Sequence, residues 1–403
     1  MEKDYSNGIT ILLGLKGHNI NIGEIREDGN EIIVEVATKG RQGSCIYCGS
    51  KRLYRHERCR IRKVLHSWSN GKRIYLKLHR RRWRCCNCKR TFCEGRNLVR
   101  PYFRITRQAE RELLWQLKER SFNQIKRELG ISYSTLRSLL EKTVKAEMTE
   151  LLKDKDRIYL GIDEHSFRHQ ELVYTITEVK ERKMIAILKD DKIATLKEFL
   201  KKIPEDKVEE VCIDMKQGLK KATEEIFTKA KVVVDPFHVI SDANKRMDEA
   251  RRIEQELHPG KIRIPKKIFL ISRDKLSEEK RNKLDELLKK HPSLKGFYWA
   301  KENILKLYRQ KTHKEASKLL NNIILNLESS DDAELVRWAY TLKRWYDPIL
   351  NYFDNHTTNG FTEGCHTKIK MLKRISFGLK NMEVYCRKMI LGFLSLESCF
   401  HTL

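Results

Sequence analysis

The chain runs to 403 residues, with 83 Lys and Arg against 55 Asp and Glu, a formal net charge of +28 and 40% hydrophobic residues. It is too long for one ordinary core and fits two to four domains, with enough apolar residues to fill them. No run approaches the roughly 20 apolar residues of a membrane span and no N-terminal apolar stretch resembles a signal peptide, so membrane partners are excluded and a cytosolic protein is expected.

The charge is unevenly spread: residues 41–107 hold 21 basic and 2 acidic residues. Such a block repels itself unless a polyanion neutralises it, so nucleic acid is the natural partner, with a solvated basic face as the blander alternative. Arg81, Arg82 and Arg84 are its candidate phosphate contacts. In a reducing compartment the 11 cysteines are expected as thiols, which favours metal binding where they are regularly spaced. Cys45-x-x-Cys48 and Cys85-x-x-Cys88 are so spaced, and four thiolates make the closed tetrahedral shell of a structural Zn²⁺. Between the pairs, Ile74, Leu76 and Leu78 alternate with polar residues and predict a strand over 73–84. Cys59, Cys86 and Cys93 are read as spare reduced residues, any one of them able to replace an assigned ligand. A zinc-binding β module over 1–100 results.

From Thr106 to Leu117 the apolar residues recur at helical spacing. Ser121 caps a second segment with Phe122, Ile125 and Leu129 inside, and Gly130-Ile131-Ser132 supplies a tight turn. Ser132 caps a third helix, with Leu136, Leu139 and Leu140 inward and Ser134, Thr135, Arg137 and Ser138 outward to meet a major groove. The 101–152 stretch thus reads as a helix-turn-helix DNA-binding domain, a plain helical hairpin being the alternative with the same apolar pattern.

Beyond a polar linker the periodicity changes to strands. Residues 158–163, 172–179 and 183–188 read as three strands, 195–202 as a helix, 208–213 as a fourth strand, 217–229 as a helix and 231–234 as a fifth strand. This β-β-β-α-β-α-β order matches an RNase H-like sheet, whose first and fourth strands are neighbours. Asp163 and Asp214, each following an apolar run, would then come together at strand ends as oxygen ligands for Mg²⁺ or Mn²⁺. Asp235, after the fifth strand, is the rival for Asp214, and Asp235-x-x-His238 is read as a coupled pair that shapes the site or contacts the substrate. The expected first part of the core is 153–238.

Only helical patterns follow to about residue 355, punctuated by Pro259-Gly260, Pro265, Pro292 and Pro348, so an all-helical insertion over 239–355 interrupts the core. Its Trp299, Trp338 and Trp345 are expected as core fillers. Asn359-Gly360 marks a turn and Thr362 a helix cap, which puts Glu363 in the first turn of a basic helix. Glu363, Thr367, Lys370 and Arg374 share one face, so a metal ligand and two phosphate-binding cations share a surface, and Lys373 is a further candidate DNA contact. Residues 356–403 are expected to complete the core, giving a multidomain α+β protein. Tyr385 offers a weaker alternative as the nucleophile of a recombinase, and a DNA-binding regulator on an inactive nuclease scaffold is another.

The chain resembles bacterial insertion-sequence transposases of the ISL-three group along nearly its whole length. The blocks that carry the likeness are Cys45-x-x-Cys48 with Arg81-Arg82-Trp83-Arg84-Cys85-x-x-Cys88-x-x-Thr91-Phe92, the turn at Gly130-Ile131-Ser132, Gly161-Ile162-Asp163-Glu164, Val234-Asp235-Pro236-Phe237-His238, and Asn359-Gly360-Phe361-Thr362-Glu363-Gly364 through Lys370-x-x-Lys373-Arg374-x-x-Phe377-Gly378. Family members usually carry other residues where Cys86 and Cys93 stand. The resemblance implies a DDE transposase that binds terminal inverted repeats in double-stranded DNA, cuts them with a divalent metal, and lets the freed 3′-hydroxyl attack target DNA. It implies Asp163, Asp214 and Glu363 as the catalytic metal ligands, because related enzymes with helical insertions take their second Asp from the fourth strand and keep a separate Cys-or-Asp-x-x-His motif after the fifth. Joining two DNA ends implies a homodimer or larger assembly in the bacterial cytosol, associated with the nucleoid.

Overall fold

The computed structural model describes residues 2–39, 42–95, 97–100, 103–168, 171–257 and 263–395. Contacts group them into two units, one of residues up to Val144 together with those from Leu372 onward, the other Lys145–Met371.

In the first unit α1 (Glu2–Leu12) precedes β1 (Ile20–Asp28), β2 (Glu31–Thr38), β3 (Leu53–Arg58), β4 (Arg62–Ser69), β5 (Lys72–His79), β6 (Arg81–Cys85) and β7 (Thr91–Cys93). They form a four-stranded sheet, β1-β2-β5-β4, and a three-stranded one, β3-β6-β7. The single strand expected over 73–84 is therefore two, which part at Arg80 and enter different sheets. The alternation changes phase there, from Ile74, Leu76 and Leu78 to Trp83 and Cys85 across His79-Arg80-Arg81-Arg82, which one continuous strand would not do. The larger sheet buries Val34, Val36, Val64, Ile74, Leu76 and Leu78. The smaller one has a core of Leu53, Trp83, Phe92 and the sulfurs of Cys45 and Cys85.

Three helices follow: α2 (Arg107–Glu119), α3 (Phe122–Leu129) and α4 (Tyr133–Thr143). Each has the cap its sequence announces, with Thr106, Ser121 and Ser132 accepting from the amides of Ala109, Gln124 and Thr135. Gly130 takes the left-handed conformation that ends α3, at φ 69°. Leu136, Leu139 and Leu140 are fully buried. The 100/101 boundary is no boundary of contact, because the Leu65 amide donates to the Arg104 carbonyl and the Thr106 amide to the Leu65 carbonyl, tying β4 to the start of α2.

In the second unit β8 (Ile158–Arg168), β9 (Glu171–Glu178), β10 (Lys183–Ile187), α5 (Ile193–Leu200), β11 (Val208–Ile213), α6 (Gln217–Ile226) and β12 (Lys231–Val234) follow one another in that order. The sheet runs β10-β9-β8-β11-β12. Its first three strands are antiparallel, and β11 is parallel to both β8 and β12. Strand β8 is longer than its apolar run, because β9 pairs with it as far as Arg168 after β11 has stopped at Gly161.

From β12 to residue 355 the described residues form only helices: α7 (Pro236–Leu257), α8 (Lys266–Leu270), α9 (Glu278–Lys290), α10 (Leu294–Leu307), α11 (His313–Glu328), α12 (Ala333–Arg344), α13 (Tyr346–Leu350) and α14 (Tyr352–Asn355), apart from one 3₁₀ turn. The Pro259-Gly260 break lies outside the described residues. These helices share one continuous apolar core with the sheet, from Leu160 and Val211 to Leu320 and Trp338. Trp338 and Trp345 are core residues as expected, whereas Trp299 is 36% exposed.

The last helices are α15 (Gly360–Ile375) and α16 (Met382–Leu391). The expected grouping of 356–403 is divided by contact, since the chain from Leu372 packs with α2 and α4 of the first unit. Lys388 supplies the physical reason. Its ammonium is fully buried and donates to the carbonyls of Leu117 and Arg120, at 2.6 and 2.9 Å, where α2 ends. Burial holds it down to about 8, so it is still charged at neutral pH. Lys388→Met leaves two helix-end carbonyls unpaired and should cost the first unit about 1–3 kcal/mol. The measurement is the urea midpoint of that unit, and an unshifted midpoint refutes the account.

Candidate active site

Asp163, Asp214 and Asp235 lie at neighbouring positions along one sheet edge. Asp214 and Asp235 directly follow β11 and β12, and the Asp235 amide donates to the Ile213 carbonyl at 3.1 Å. Asp163 lies two residues beyond Gly161, the last residue of β8 that β11 covers, and opposite Thr175 of β9. Alternation puts Gly161, Asp163 and His165 on one face of β8.

The structure gives these aspartates different partners. Both Asp235 oxygens are taken by amides, Oδ1 by Phe237 at 2.8 Å and Oδ2 by Asn359 at 2.6 Å. Asp235 and His238 are joined through the backbone, the His238 amide donating to the Asp235 carbonyl at 3.0 Å, and not through their side chains. Instead His238, in the first turn of α7, places Nε2 2.6 Å from Asp214 Oδ1. Ligand atoms of Asp163, Asp214 and His238 all lie within 4.8 Å of one another.

Polar contacts deliver Glu363 to this edge from 200 residues away. Buried Glu210 on β11 accepts from Asn355 Nδ2 at 2.6 Å and from the Thr357 hydroxyl. Asn359 donates its side chain to the Ile162 carbonyl at 3.1 Å, and the Thr362 hydroxyl meets that of Thr177 at 2.7 Å. Gly161 makes this approach possible, since a Cβ there would stand 2.6 Å from Asn359 Oδ1 and 2.7 Å from Thr362 Oγ1. Glu363 follows in the first turn of α15, half-buried. It is close enough to interact with Asp163, Asp235 and Asp214, though it is outside the 4.8 Å group.

His366, which the sequence did not single out, lies one helical turn on. It is buried, with Nδ1 3.3 Å from Asp163 Oδ2 and its ring 5.0 Å from that of His165. Burial pushes it down to about 4, with Lys370 adding to the effect, so a neutral imidazole faces the carboxyl and the contact is not an ion pair. The available signal was spacing: His366 is three residues from Glu363 on a helix, and His165 two from Asp163 on a strand.

Crowding sets the electrostatics. Burial, and then the charge of Asp214, push Asp163 up to about 7 against the Glu164 amide and His238. Glu363 is also raised, first by burial and then by Asp235. For His238, burial opposes protonation but contact with Asp214 outweighs it and raises the ring. Asp214 Oδ1 and His238 Nε2 are buried yet make no aligned hydrogen bond. Carboxylates crowded together in this way fit a divalent cation, which removes the repulsion.

The first unit holds a second ligand cluster, Cys45, Cys48, Cys85 and Cys88. The Cys45–Cys88 and Cys48–Cys85 sulfurs are each 3.6 Å apart, and the amides of Tyr47 and Asn87 point at Cys45 and Cys85 Sγ at 3.4 Å. Burial opposes ionisation of Cys85, but the Cys88 and Asn87 amides bring it to about 6. Cys88 accepts from the Arg90 amide yet is raised to about 11 by burial and the neighbouring sulfurs. Four sulfurs this close ionise together only around a cation, so the set fits zinc. Cys86 is free, but Cys59 and Cys93 correct the expectation of thiols throughout: they form a disulfide. Cys59 bonds the Arg80 carbonyl and Cys93 pairs with Arg82, so both flank the start of β6.

A family model described as "Transposase", that of the ISL3 transposases, matches residues 160–389, more than half of the chain. The chain belongs to the ISL3 family of insertion-sequence transposases. It is similar to the transposase for insertion sequence element IS1001 of Bordetella parapertussis, with 23% identity over 394 residues that cover 94% of this chain and 96% of that protein. The segment matched to the transposase family holds all of Asp163, Asp214, Asp235, His238, Glu363 and His366.

Other candidate residues have varied surroundings. Arg81 donates to the Thr38 carbonyl and pairs with Glu94, Arg82 reaches Thr91 and Glu57, Arg84 the Lys89 carbonyl, and Arg137 pairs with Glu141. Ser134 is exposed and Thr135 half-buried, both near the Ser132 hydroxyl. On α15, Lys370 and Arg374 are exposed and Lys373 half-buried. Tyr385 is 1% exposed and its ionisation is opposed by burial, which disqualifies it as a nucleophile. Asp235→Asn places an amide donor against an N–H and should cost about 1–3 kcal/mol of stability in the second unit while leaving Mn²⁺ binding intact. Thermal unfolding with Mn²⁺ titration checks this; normal stability with lost binding refutes it.

Proposed function

We propose that the chain is a DDE transposase that binds the terminal inverted repeats of an insertion sequence and cuts and joins DNA at Asp163, Asp214 and Glu363. One observation carries this reading: Asp163 on β8 and Asp214 directly after the neighbouring β11 come within 4.8 Å, close enough that the charge of Asp214 raises Asp163. The strand order β10-β9-β8-β11-β12, antiparallel and then parallel, supports an RNase H-like core, with 239–355 as its helical insertion and α15 as its closing helix.

Asp163, Asp214 and Glu363 hold Mg²⁺ or Mn²⁺, which when bound activates the attacking hydroxyl and stabilises the leaving oxygen. The Glu164 amide and His366 orient Asp163, and Asp235 holds the start of α15 in place. Lys370, Lys373 and Arg374 supply phosphate contacts along α15. Zn²⁺ in the four-cysteine cluster stiffens the basic β module, and α4 reads the repeat through Ser134, Thr135 and Arg137. Duplex DNA, as repeat and as target, is the partner, and synapsis of two ends calls for a homodimer or larger assembly in the cytoplasm. Among the described residues no helix is long and apolar enough to cross a membrane.

The test is nicking of a terminal-repeat duplex with Mg²⁺ or Mn²⁺. Asp163→Asn, Asp214→Asn and Glu363→Gln should each fall to below about a hundredth of wild type, since even outer-shell partners of a metal are worth 10–100-fold. Cleavage that survives all three substitutions refutes the site; tight repeat binding without cleavage under either metal makes the chain an inactive regulator instead. Cys85→Ser should lose its zinc, measured as metal per chain, and weaken repeat binding.

A further inference from the structure

We propose that His238 is itself a metal ligand, so that Asp163, Asp214 and His238 hold one ion and the site favours Mn²⁺ over Mg²⁺. This rests on the active-site reading above and deepens it.

The geometry is the starting point. Among the described residues, the carboxylate-containing group whose ligand atoms all lie within 4.8 Å of one another is Asp163, Asp214 and His238, and Glu363 is outside it. His238 Nε2 and Asp214 Oδ1 are 2.6 Å apart and buried, and among the described residues neither has a partner besides the other. With an Asp163 oxygen also within 4.8 Å of both, the three side chains converge on one point, as the ligands of one ion do.

Neighbouring groups do not offer the same service. Asp235 has spent both oxygens on the Phe237 and Asn359 amides. His366 reaches Asp163 but lies outside the group. His238 is also held ready: its amide donates to the Asp235 carbonyl at 3.0 Å, and the Phe237 ring meets its imidazole edge-on at 5.5 Å. Such support around a ligand is what fixes its direction. The donor set then decides the metal. Mg²⁺ takes oxygen ligands and keeps its waters, whereas Mn²⁺ accepts an imidazole nitrogen more readily.

The test is pulsed EPR of Mn²⁺ bound to the full-length, zinc-loaded chain without DNA. We expect an imidazole-nitrogen modulation that changes when histidine is ¹⁵N-labelled, vanishes in His238→Gln and survives in His366→Gln. Mn²⁺ affinity should fall more than about tenfold in His238→Gln, and Mg²⁺ affinity, read by competition, should fall less. Mn²⁺ that binds and is lost in Asp163→Asn but carries no histidine coupling in wild type overturns this assignment alone, even if His238→Gln does not fold. Coupling that persists in His238→Gln overturns it as well. If wild type binds no Mn²⁺ beyond the Asp163→Asn level, the assignment and the metal-dependent reading fall together.

Discussion

The candidate active site depends on a short segment, residues 355–362, being held against β8, β9, β11 and the end of β12 by buried polar contacts. Glu210 takes two contacts from it, through Asn355 and Thr357, while Asp235, the Ile162 carbonyl and Thr177 take one each, through the Asn359 amide, the Asn359 side chain and Thr362. Apolar packing is tolerant of small shifts, whereas buried hydrogen bonds must be made or their groups are left costly and unpaired. Held in this way, α15 starts at one place on the sheet, and both Glu363 and His366 are positioned by it. Gly161 is the complementary condition, an absent side chain where the segment comes closest.

Crowded like charge recurs in both units. In one, Asp163 is driven up to about 7 by burial and by Asp214. In the other, four sulfurs sit together with Cys85 drawn down to about 6 and Cys88 pushed up to about 11. Neither arrangement stabilises the fold by itself, and both become favourable once a cation stands among the ligands. The donor types keep the two apart, soft thiolates for zinc and carboxylates for a harder ion. Part of the basic excess is meanwhile committed internally: Arg81 braces Thr38 and Glu94, and buried Lys388 ends a helix. Net charge therefore overstates the surface left for phosphate.

Local patterns were legible wherever one stretch of chain settles the matter. The caps at Thr106, Ser121 and Ser132, the left-handed Gly130 and the element order from β8 to β12 follow from neighbours in sequence. The break at Arg80 shows in the sequence only as a change of phase across His79-Arg80-Arg81-Arg82, and the extension of β8 was hidden because polar residues there are carried by pairing to β9. The Cys59–Cys93 disulfide was hidden for a related reason, since only the course of β6 brings the two together.

Sequence by itself determined the kinds of chemistry present: paired Cys-x-x-Cys motifs, acidic residues after apolar strands, a capped basic helix, and the blocks of a transposase family. Tertiary structure alone decided how they are distributed. It turned Asp235 to backbone amides and His238 to Asp214, brought His366 against Asp163, and divided the chain after Met371 rather than at 355. The reason is range: caps and periodicity act over a few residues, whereas a carboxylate's partner is set by which distant amide or imidazole the fold brings within about 3 Å.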